Sequence, residues 1–144
     1  MENFAAYNRP VVADGTVTVS LALRPETPLP MIAARDIGIF AAIAFDQPAR
    51  FLGEAVAIAG DVRTGPQIAE VFGRAYQLRA RFAPLPIERL RAFDPQVAAM
   101  FEWFDRRTAD QPDLPRLRAL HPGLLTLAAW VRDADPTHDR GETA

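Results

Sequence analysis

The spacing of apolar residues predicts three short strands. Residues 16–23 are rich in β-branched side chains and lie between Gly15 and Pro25, a composition typical of a strand. Residues 54–59 form a short apolar run bounded by glycines, which favours a buried strand over a helix of that length. Residues 79–83 alternate between polar and apolar side chains and are closed by prolines, which predicts a third strand.

The longest apolar block, residues 37–45, predicts a helix that is apolar on every side. Asp36 is placed to cap its first turn, because a carboxylate accepts the free amide hydrogens there, and Gln47-Pro48 ends it. A helix without a polar face has to be buried on more than one side. We therefore expect the rest of the domain or a neighbouring chain to cover it.

Five further helical segments follow from local signals. Thr64, Pro66 and Gln67 fit a capping box that starts a helix with Ile68, Val71 and Phe72 facing inward. Asp94-Pro95 starts another helix, which carries Val97, Met100, Phe101 and Phe104 at core spacing. The remaining helical segments are residues 87–93, 117–120 and 126–132, and residues 135–144 are polar enough to form a disordered tail after a domain spanning 1–134.

Composition narrows the possible functions. A chain of 144 residues with 49% hydrophobic residues suits one domain. A net charge of -2 gives no basic face for nucleic acid, and no apolar run approaches the roughly 20 residues that cross a bilayer, so we expect neither partner and a cytoplasmic protein. Since there is no cysteine, disulfides and thiolate metal sites are excluded.

The inventory of reactive side chains is equally restrictive. All 16 basic residues are arginine, and the single serine, Ser20, lies within an apolar run where we expect it to be buried. Nucleophilic catalysis needs an activated Ser, Cys, Thr or Lys. His121 and His138 do not stand at a metal-ligand spacing. The sequence therefore predicts no catalytic residue and no metal site.

Three polar features have competing interpretations. Residues 60–65 resemble a phosphate loop, but Thr64 and Gln67 are explained by helix capping. Asp36 beside Arg35 is either a catalytic pair or a cap. Glu102 and Asp105 are either an acid/base pair or a solvated helix edge with Arg106 and Arg107.

The aromatic residues near Trp103 offer an apolar ligand surface. Phe101 and Phe104 are expected in the core, whereas Trp103 suits the core and a ligand pocket equally; Phe93 belongs to the same group. Asn3 and Phe4 combine an amide with an aromatic ring, the groups that typically orient a ligand in an apolar pocket.

Several segments, taken in order, resemble the NmrA-like family of atypical short-chain dehydrogenases/reductases, which have a Rossmann fold that binds NAD(P). The resemblance spans residues 1–133. The segments that carry it are Met1-Glu-Asn-Phe4, residues 31–38, residues 53–61 with Thr64, and residues 82–86, 93–95, 100–104 and 120–125.

The resemblance implies an α+β lobe, derived from an α/β fold, of about three short strands and five helices, without the N-terminal Rossmann half that binds the nucleotide. Asn3, Phe4 and Trp103 would then contact the substrate. No cofactor-binding residue is present, because the glycine-rich fingerprint belongs upstream, and Tyr7 and Tyr76 lack the lysine that accompanies the proton donor of such reductases. NAD(P) is implied for the full-length family and not for this chain alone.

The sequence thus predicts a truncated or split substrate-side lobe that is not catalytically complete by itself. The apolar face around Ile37, Phe40 and Ile43 would pair with another copy or with a Rossmann-domain partner. Two alternatives stay open: a non-enzymatic redox-sensing or interaction module of the same family, and an enzyme that uses only Asp, Glu, Arg and Tyr.

Overall fold

A computed structural model describes residues 1–106 and 112–133. These residues form an α+β fold, as predicted, with five strands in two small sheets and seven helices. The strands are β1 Val11–Ala13, β2 Thr16–Val19, β3 Leu29–Met31, β4 Asp61–Arg63 and β5 Arg79–Phe82. The helices are α1 Ala34–Asp46, α2 Pro48–Phe51, α3 Gly65–Tyr76, α4 Ile87–Phe93, α5 Pro95–Arg106, α6 Leu114–Leu120 and α7 Leu127–Asp133, and a 3-10 turn spans Glu2–Ala5.

The larger sheet has the order β1-β2-β5. β1 and β2 form a hairpin whose two turn residues, Asp14 and Gly15, both have positive φ, 47° and 67°. Such a turn matches the twist of paired strands. β2 runs parallel to β5, with Val17 opposite Ala80. The predicted strand at residues 16–23 is therefore shorter than expected, although the buried residues 21–23 continue its apolar run.

The smaller sheet pairs β3 with β4, with Met31 opposite Asp61. The strand predicted at residues 54–59 is wrong: within the described residues this segment has no strand partner, and the pairing begins after Gly60. A strand is stabilised by cross-strand bonds and side-chain pairs, which an apolar run cannot supply alone.

The predicted helix starts agree best with the structure where the capping side chain lies within a few residues of the amide that it binds. Gln67 Oε1 accepts the Thr64 amide at 2.9 Å, which confirms the capping-box start of α3. Asp94 Oδ1 accepts the amides of Gln96 and Val97, each at 3.0 Å, at the start of α5. None of the described helices is both long enough and apolar enough to cross a membrane. The predicted tail, residues 135–144, lies outside the described residues.

Helix α1 differs from its prediction in two ways. It begins at Ala34, so Asp36 lies inside the first turn and is not the cap. It is also buried on one side only: Phe40 is 8% exposed, whereas Ile37 is 47% and Phe45 84% exposed. The described residues of this chain therefore cover only one side of α1, and the cover of its other side by a neighbouring chain stays a prediction.

Two apolar clusters form the core. The larger lies between the β1-β2-β5 sheet, α3, α5 and α7 and contains Phe4, Val17, Ile68, Phe101 and Leu127. The smaller joins α1 to α6 and to residues 54–59; its members include Phe40, Leu117, Leu124, Ile43, Val56 and Ile58.

Candidate functional site

The N-terminal turn presents Asn3 to solvent and inserts Phe4 into the larger cluster. Phe4 is 5% exposed, and its ring centre lies 5.4 Å from that of Phe72. Asn3 is exposed, and its carboxamide makes no hydrogen bond to a described residue, while its carbonyl accepts the Asn8 amide at 2.8 Å. The Asn3 carboxamide is thus exposed to solvent.

Tyr76 extends the aromatic contacts of the turn, since its ring centre lies 5.9 Å from that of Phe72. Burial raises the pKa of the Tyr76 phenol, and the positive charge of Arg9 acts in the opposite direction. The phenol is therefore a neutral hydrogen-bonding group throughout the physiological pH range.

Glu2 performs the capping role that the sequence assigned to Asp36. Its Oε1 accepts the Ala34 amide at 3.0 Å, which satisfies a free donor in the first turn of α1, and the Trp130 indole at 3.2 Å. Burial acts to raise the pKa of the Glu2 carboxyl, but hydrogen bonds from the Ala34 and Glu2 amides, together with the Met1 ammonium 3.2 Å away, outweigh it, so this pKa lies below its usual value. The turn that carries Asn3 is thereby fixed to both α1 and α7.

Asp36 is completely buried and joins α1 to the segment before α7. Its Oδ1 lies 3.0 Å from His121 Nε2, and its Oδ2 accepts the Leu125 amide at 3.1 Å. The Arg35 Nε lies 3.6 Å from Oδ1. Both carboxylate oxygens are thus engaged by the protein. The capping interpretation is wrong, because Asp36 lies inside the first turn, and the side chain anchors α1 to residues 121–125.

Asp61 likewise anchors the start of α7 through its carboxylate. Its Oδ2 accepts the Leu127 amide at 3.0 Å, at the first residue of that helix, and Arg63 Nε donates to the same oxygen at 3.0 Å. Next to it, a Cβ on Gly60 would stand 2.2 Å from the Leu125 carbonyl oxygen, so the glycine allows this close backbone approach.

The loop of residues 60–65 is occupied by packing and capping. A Cβ on Gly65 would lie 2.4 Å from the Phe82 ring, and the Thr64 amide is bound by Gln67. The capping interpretation of this loop is therefore confirmed over the phosphate-loop interpretation.

Glu102 and Asp105 point to different partners. Glu102 forms ion pairs with Arg91 of α4 and, at 3.8 Å, with Arg106. Asp105 Oδ1 accepts the Arg24 amide at 3.2 Å and the Thr27 hydroxyl. These carboxylates attach α5 to its neighbours and do not form an acid/base pair; Arg107 lies outside the described residues.

The aromatic residues of α4 and α5 divide as follows. Phe101 is 6% exposed in the core, and Phe104 packs against that cluster, as predicted. Trp103 is 52% exposed, with its ring centre 5.3 Å from that of Phe104. Phe93 is 89% exposed. The structure thus connects Phe4, Phe101 and Phe104 through one cluster and leaves Asn3 and Trp103 at its surface.

The other predicted groups add no reactive cluster. Ser20 is exposed, contrary to expectation, because it alternates with the buried Val19 and Leu21 and so lies on the outer face of this extended segment. Among the described residues, no group of three His, Cys, Asp or Glu side chains is placed to hold a metal ion. His138 lies outside them.

Comparison with known proteins gives one family and one fold. The model of the NmrA-like family matches residues 1–137. The solved structure of NmrA, a negative transcriptional regulator, in complex with NAD has 20% identity and a TM-score of 0.69, covering 88% of this chain and 45% of that one. The structure of the same regulator with NADP has 19% identity and a TM-score of 0.65, with the same coverage of 88% and 45%. This chain thus spans less than half the length of the structures it matches, and no curated protein sequence matches it.

Proposed function

The chain belongs to the NmrA-like family, and from this premise we propose that it forms the substrate-side lobe of an NAD(P)-dependent, reductase-like protein of the cytoplasm and is not catalytically complete alone. One observation carries the proposal: 88% of this chain matches only 45% of a structure solved with bound NAD. A dinucleotide site in such a protein is then assembled with residues beyond those described here.

The loop before α3 supports this assignment. A pyrophosphate is bound by free backbone amides of a glycine-rich turn at a helix N-terminus. Here Gly60 and Gly65 accommodate Leu125 and Phe82, and the Thr64 amide is already bonded to Gln67. At this helix start, the two glycines and the Thr64 amide are therefore already engaged in contacts within the fold.

The substrate contacts belong to the surface of the larger cluster. We assign the exposed carboxamide of Asn3 to ligand recognition, with Phe4 holding the turn in position and the half-exposed indole of Trp103 supplying apolar contact. The anchoring of this turn through Glu2 to Ala34 and Trp130 supports the role, because a binding group is effective when its backbone is fixed.

The exposed side of α1 is assigned to a partner, either a dinucleotide-binding domain or another copy. Of the residues first expected there, Phe40 and Ile43 pack in the smaller cluster, so the contact surface consists of Ile37, Ile39 and Phe45. Exposed apolar surface of this kind is typical of interaction sites.

Titration calorimetry with NADPH tests the proposal. We expect no heat of binding from this chain at micromolar NADPH, while NmrA itself, which has been solved with NADP, serves as the positive control. Micromolar binding by this chain alone would contradict the proposal.

A regulatory module is the second candidate, because the matching structures are of a negative transcriptional regulator. A lobe paired with a dinucleotide-binding domain that binds NADPH without oxidising it in the presence of carbonyl substrates would favour this candidate. Turnover of NADPH would favour the reductase.

A further inference from the structure

The buried carboxylate of Asp36 fixes the hydrogen-bonding role of the His121 ring. Asp36 Oδ1 lies 3.0 Å from His121 Nε2, and Oδ2 accepts the Leu125 amide at 3.1 Å. A carboxylate has acceptors only, so Nε2 has to carry the hydrogen of this bond. The neutral ring is therefore held as the Nε2–H tautomer, with its lone pair on Nδ1.

The second ring nitrogen, Nδ1, reaches solvent without a hydrogen-bond partner. Within the described parts of the chain, no buried side-chain nitrogen or oxygen lacks a partner, so Nδ1, which has none there, is accessible. Pro122 and Gly123 beside the ring are exposed, and a Cβ on Gly123 would lie 3.7 Å from Nδ1. The glycine thus leaves the approach to this nitrogen open.

An aromatic ring and a positive charge flank the pair. The Phe40 ring meets the His121 ring edge to face, with their centres 5.9 Å apart, and Arg35 Nε lies 3.6 Å from Asp36 Oδ1. A buried carboxylate that orients an imidazole leaves the free ring nitrogen to act as a base. Positive charge beside such a base favours a reaction in which negative charge develops on oxygen.

We propose that Asp36 and His121 form a general-base dyad for the hydrolysis of small carboxylic esters, with Asp36 as the positioning residue. Nδ1 removes a proton from a water molecule whose oxygen bonds to the ester carbonyl carbon. The tetrahedral adduct then breaks its bond to the alcohol oxygen, which takes the proton from Nδ1. Esters suit a base that acts alone, because the departing alcohol needs only that proton. The reaction uses no dinucleotide, so the inference does not depend on the proposed function.

Nitrogen-15 NMR of the imidazole rings tests the positioning role of Asp36. The chain has only two histidines, so His138→Gln leaves His121 as the single signal. In alkaline buffer, where imidazole is neutral, we expect its hydrogen on Nε2. In Asp36→Asn the Leu125 amide needs the remaining oxygen, so the side-chain NH2 turns to His121 and the ring hydrogen should move to Nδ1. Hydrogen on Nδ1 in the unaltered chain, or no change in Asp36→Asn, would overturn the proposal.

Release of p-nitrophenolate from p-nitrophenyl acetate tests the activity. His121→Gln removes the base, and Asp36→Asn places a hydrogen on Nδ1, so each should lower the rate of hydrolysis about tenfold or more. The matched control is His138→Gln, which removes the other imidazole and should leave the rate unchanged. Circular dichroism checks that the variants stay folded.

Gly123→Ala provides an independent test, which also decides the matter if Asp36→Asn unfolds. The added Cβ would lie 3.1 Å from His121 Cε1 and obstruct Nδ1 while the bond to Asp36 stays in place. We expect the rate to fall by about a factor of three or more and the Nε2–H signal to persist. Equal rates for the unaltered chain and His121→Gln would overturn the proposal, as would a rate that Gly123→Ala leaves unchanged.

Discussion

Glu2, Asp36 and Asp61 each accept a backbone amide from a segment distant in the chain, namely those of Ala34, Leu125 and Leu127. Two of these amides open helices α1 and α7, whose first-turn donors have no partner within the helix. Charged acceptors form the stronger class of hydrogen bond. These three side chains therefore fix the starts of α1 and α7 and the segment before α7 to distant parts of the chain.

Replacing Asp36 should separate its anchoring role from a general effect of charge. Asp36→Ala leaves the buried Leu125 amide and the His121 ring without their acceptor, so we expect a loss of about 3 kcal/mol or more in the free energy of unfolding. Asp36→Asn keeps one acceptor oxygen and should cost roughly 1–2 kcal/mol. Urea unfolding followed by circular dichroism measures both.

The control for Asp36 is Asp46→Ala at the other end of α1. Asp46 is exposed in the last turn, where a negative charge is unfavourable, so its removal should leave stability within about 0.5 kcal/mol. Equal losses for Ala at positions 36 and 46 would show that Asp36 is not an anchor.

The sequence identified these residues incompletely for a physical reason. Capping rules operate over three or four residues, whereas the Asp36 to Leu125 bond spans 89 residues. The sequence placed Asp36 at the start of an apolar helix, but no local signal indicated its partners His121 and Leu125. Glu2 and Asp61 gave no local signal, since the amides they accept belong to helices far along the chain.

At the level of elements, the sequence predicted α3, α4 and α5 well, because Gln67, Asp94 and flanking prolines encode their starts locally. It failed for residues 54–59, which were predicted as a strand but have no strand partner among the described residues, and for β1, β3 and β4, three short strands that it did not predict. Strand formation depends on a partner that local pattern does not specify. The prediction that Ile68 and Phe72 face inward from α3 is also correct, because helical spacing, like helix capping, is encoded within a few residues of sequence.

Two helical glycines should respond in opposite directions to alanine. A Cβ on Gly73 of α3 would stand 2.7 Å from the Ala80 Cβ and 3.1 Å from the Leu78 carbonyl oxygen, so Gly73→Ala forces α3 away from β5 and should cost about 1–3 kcal/mol. Gly38 of α1 faces open space, so Gly38→Ala should stabilise by about 0.5–1 kcal/mol through helix propensity.

Thermal unfolding of the two variants checks this pair. A lower melting temperature for Gly38→Ala would mean that the exposed side of α1 is covered in solution. An unchanged melting temperature for Gly73→Ala would contradict the close contact between α3 and β5.

For the whole molecule, the first turn and the last described helix are joined across 128 residues by the Glu2 to Trp130 bond. The same turn contributes Phe4 to the larger cluster, so the position of Asn3, the proposed ligand contact, depends on the folding of the whole domain. The sequence suggested Asn3 and Phe4 by resemblance, but their attachment to α1 and α7 required the tertiary structure.

Glu2 should therefore make the stability of the whole domain depend on acid pH. Its carboxyl pKa is lower in the folded state than in the unfolded chain, so its contribution is complete above the ordinary value of about 4.3 and is lost as pH falls through the lowered pKa. Glu2→Gln should reduce the free energy of unfolding at pH 7 by at most about 1 kcal/mol, since the side chain is 49% exposed.

Urea unfolding at a series of pH values should show this difference shrinking toward pH 3, while Glu88→Gln, an exposed control on α4, shows a smaller difference at pH 7. A Glu2→Gln difference that is constant from pH 7 to pH 3 would mean that the charge of Glu2 does not strengthen its bonds to Ala34 and Trp130.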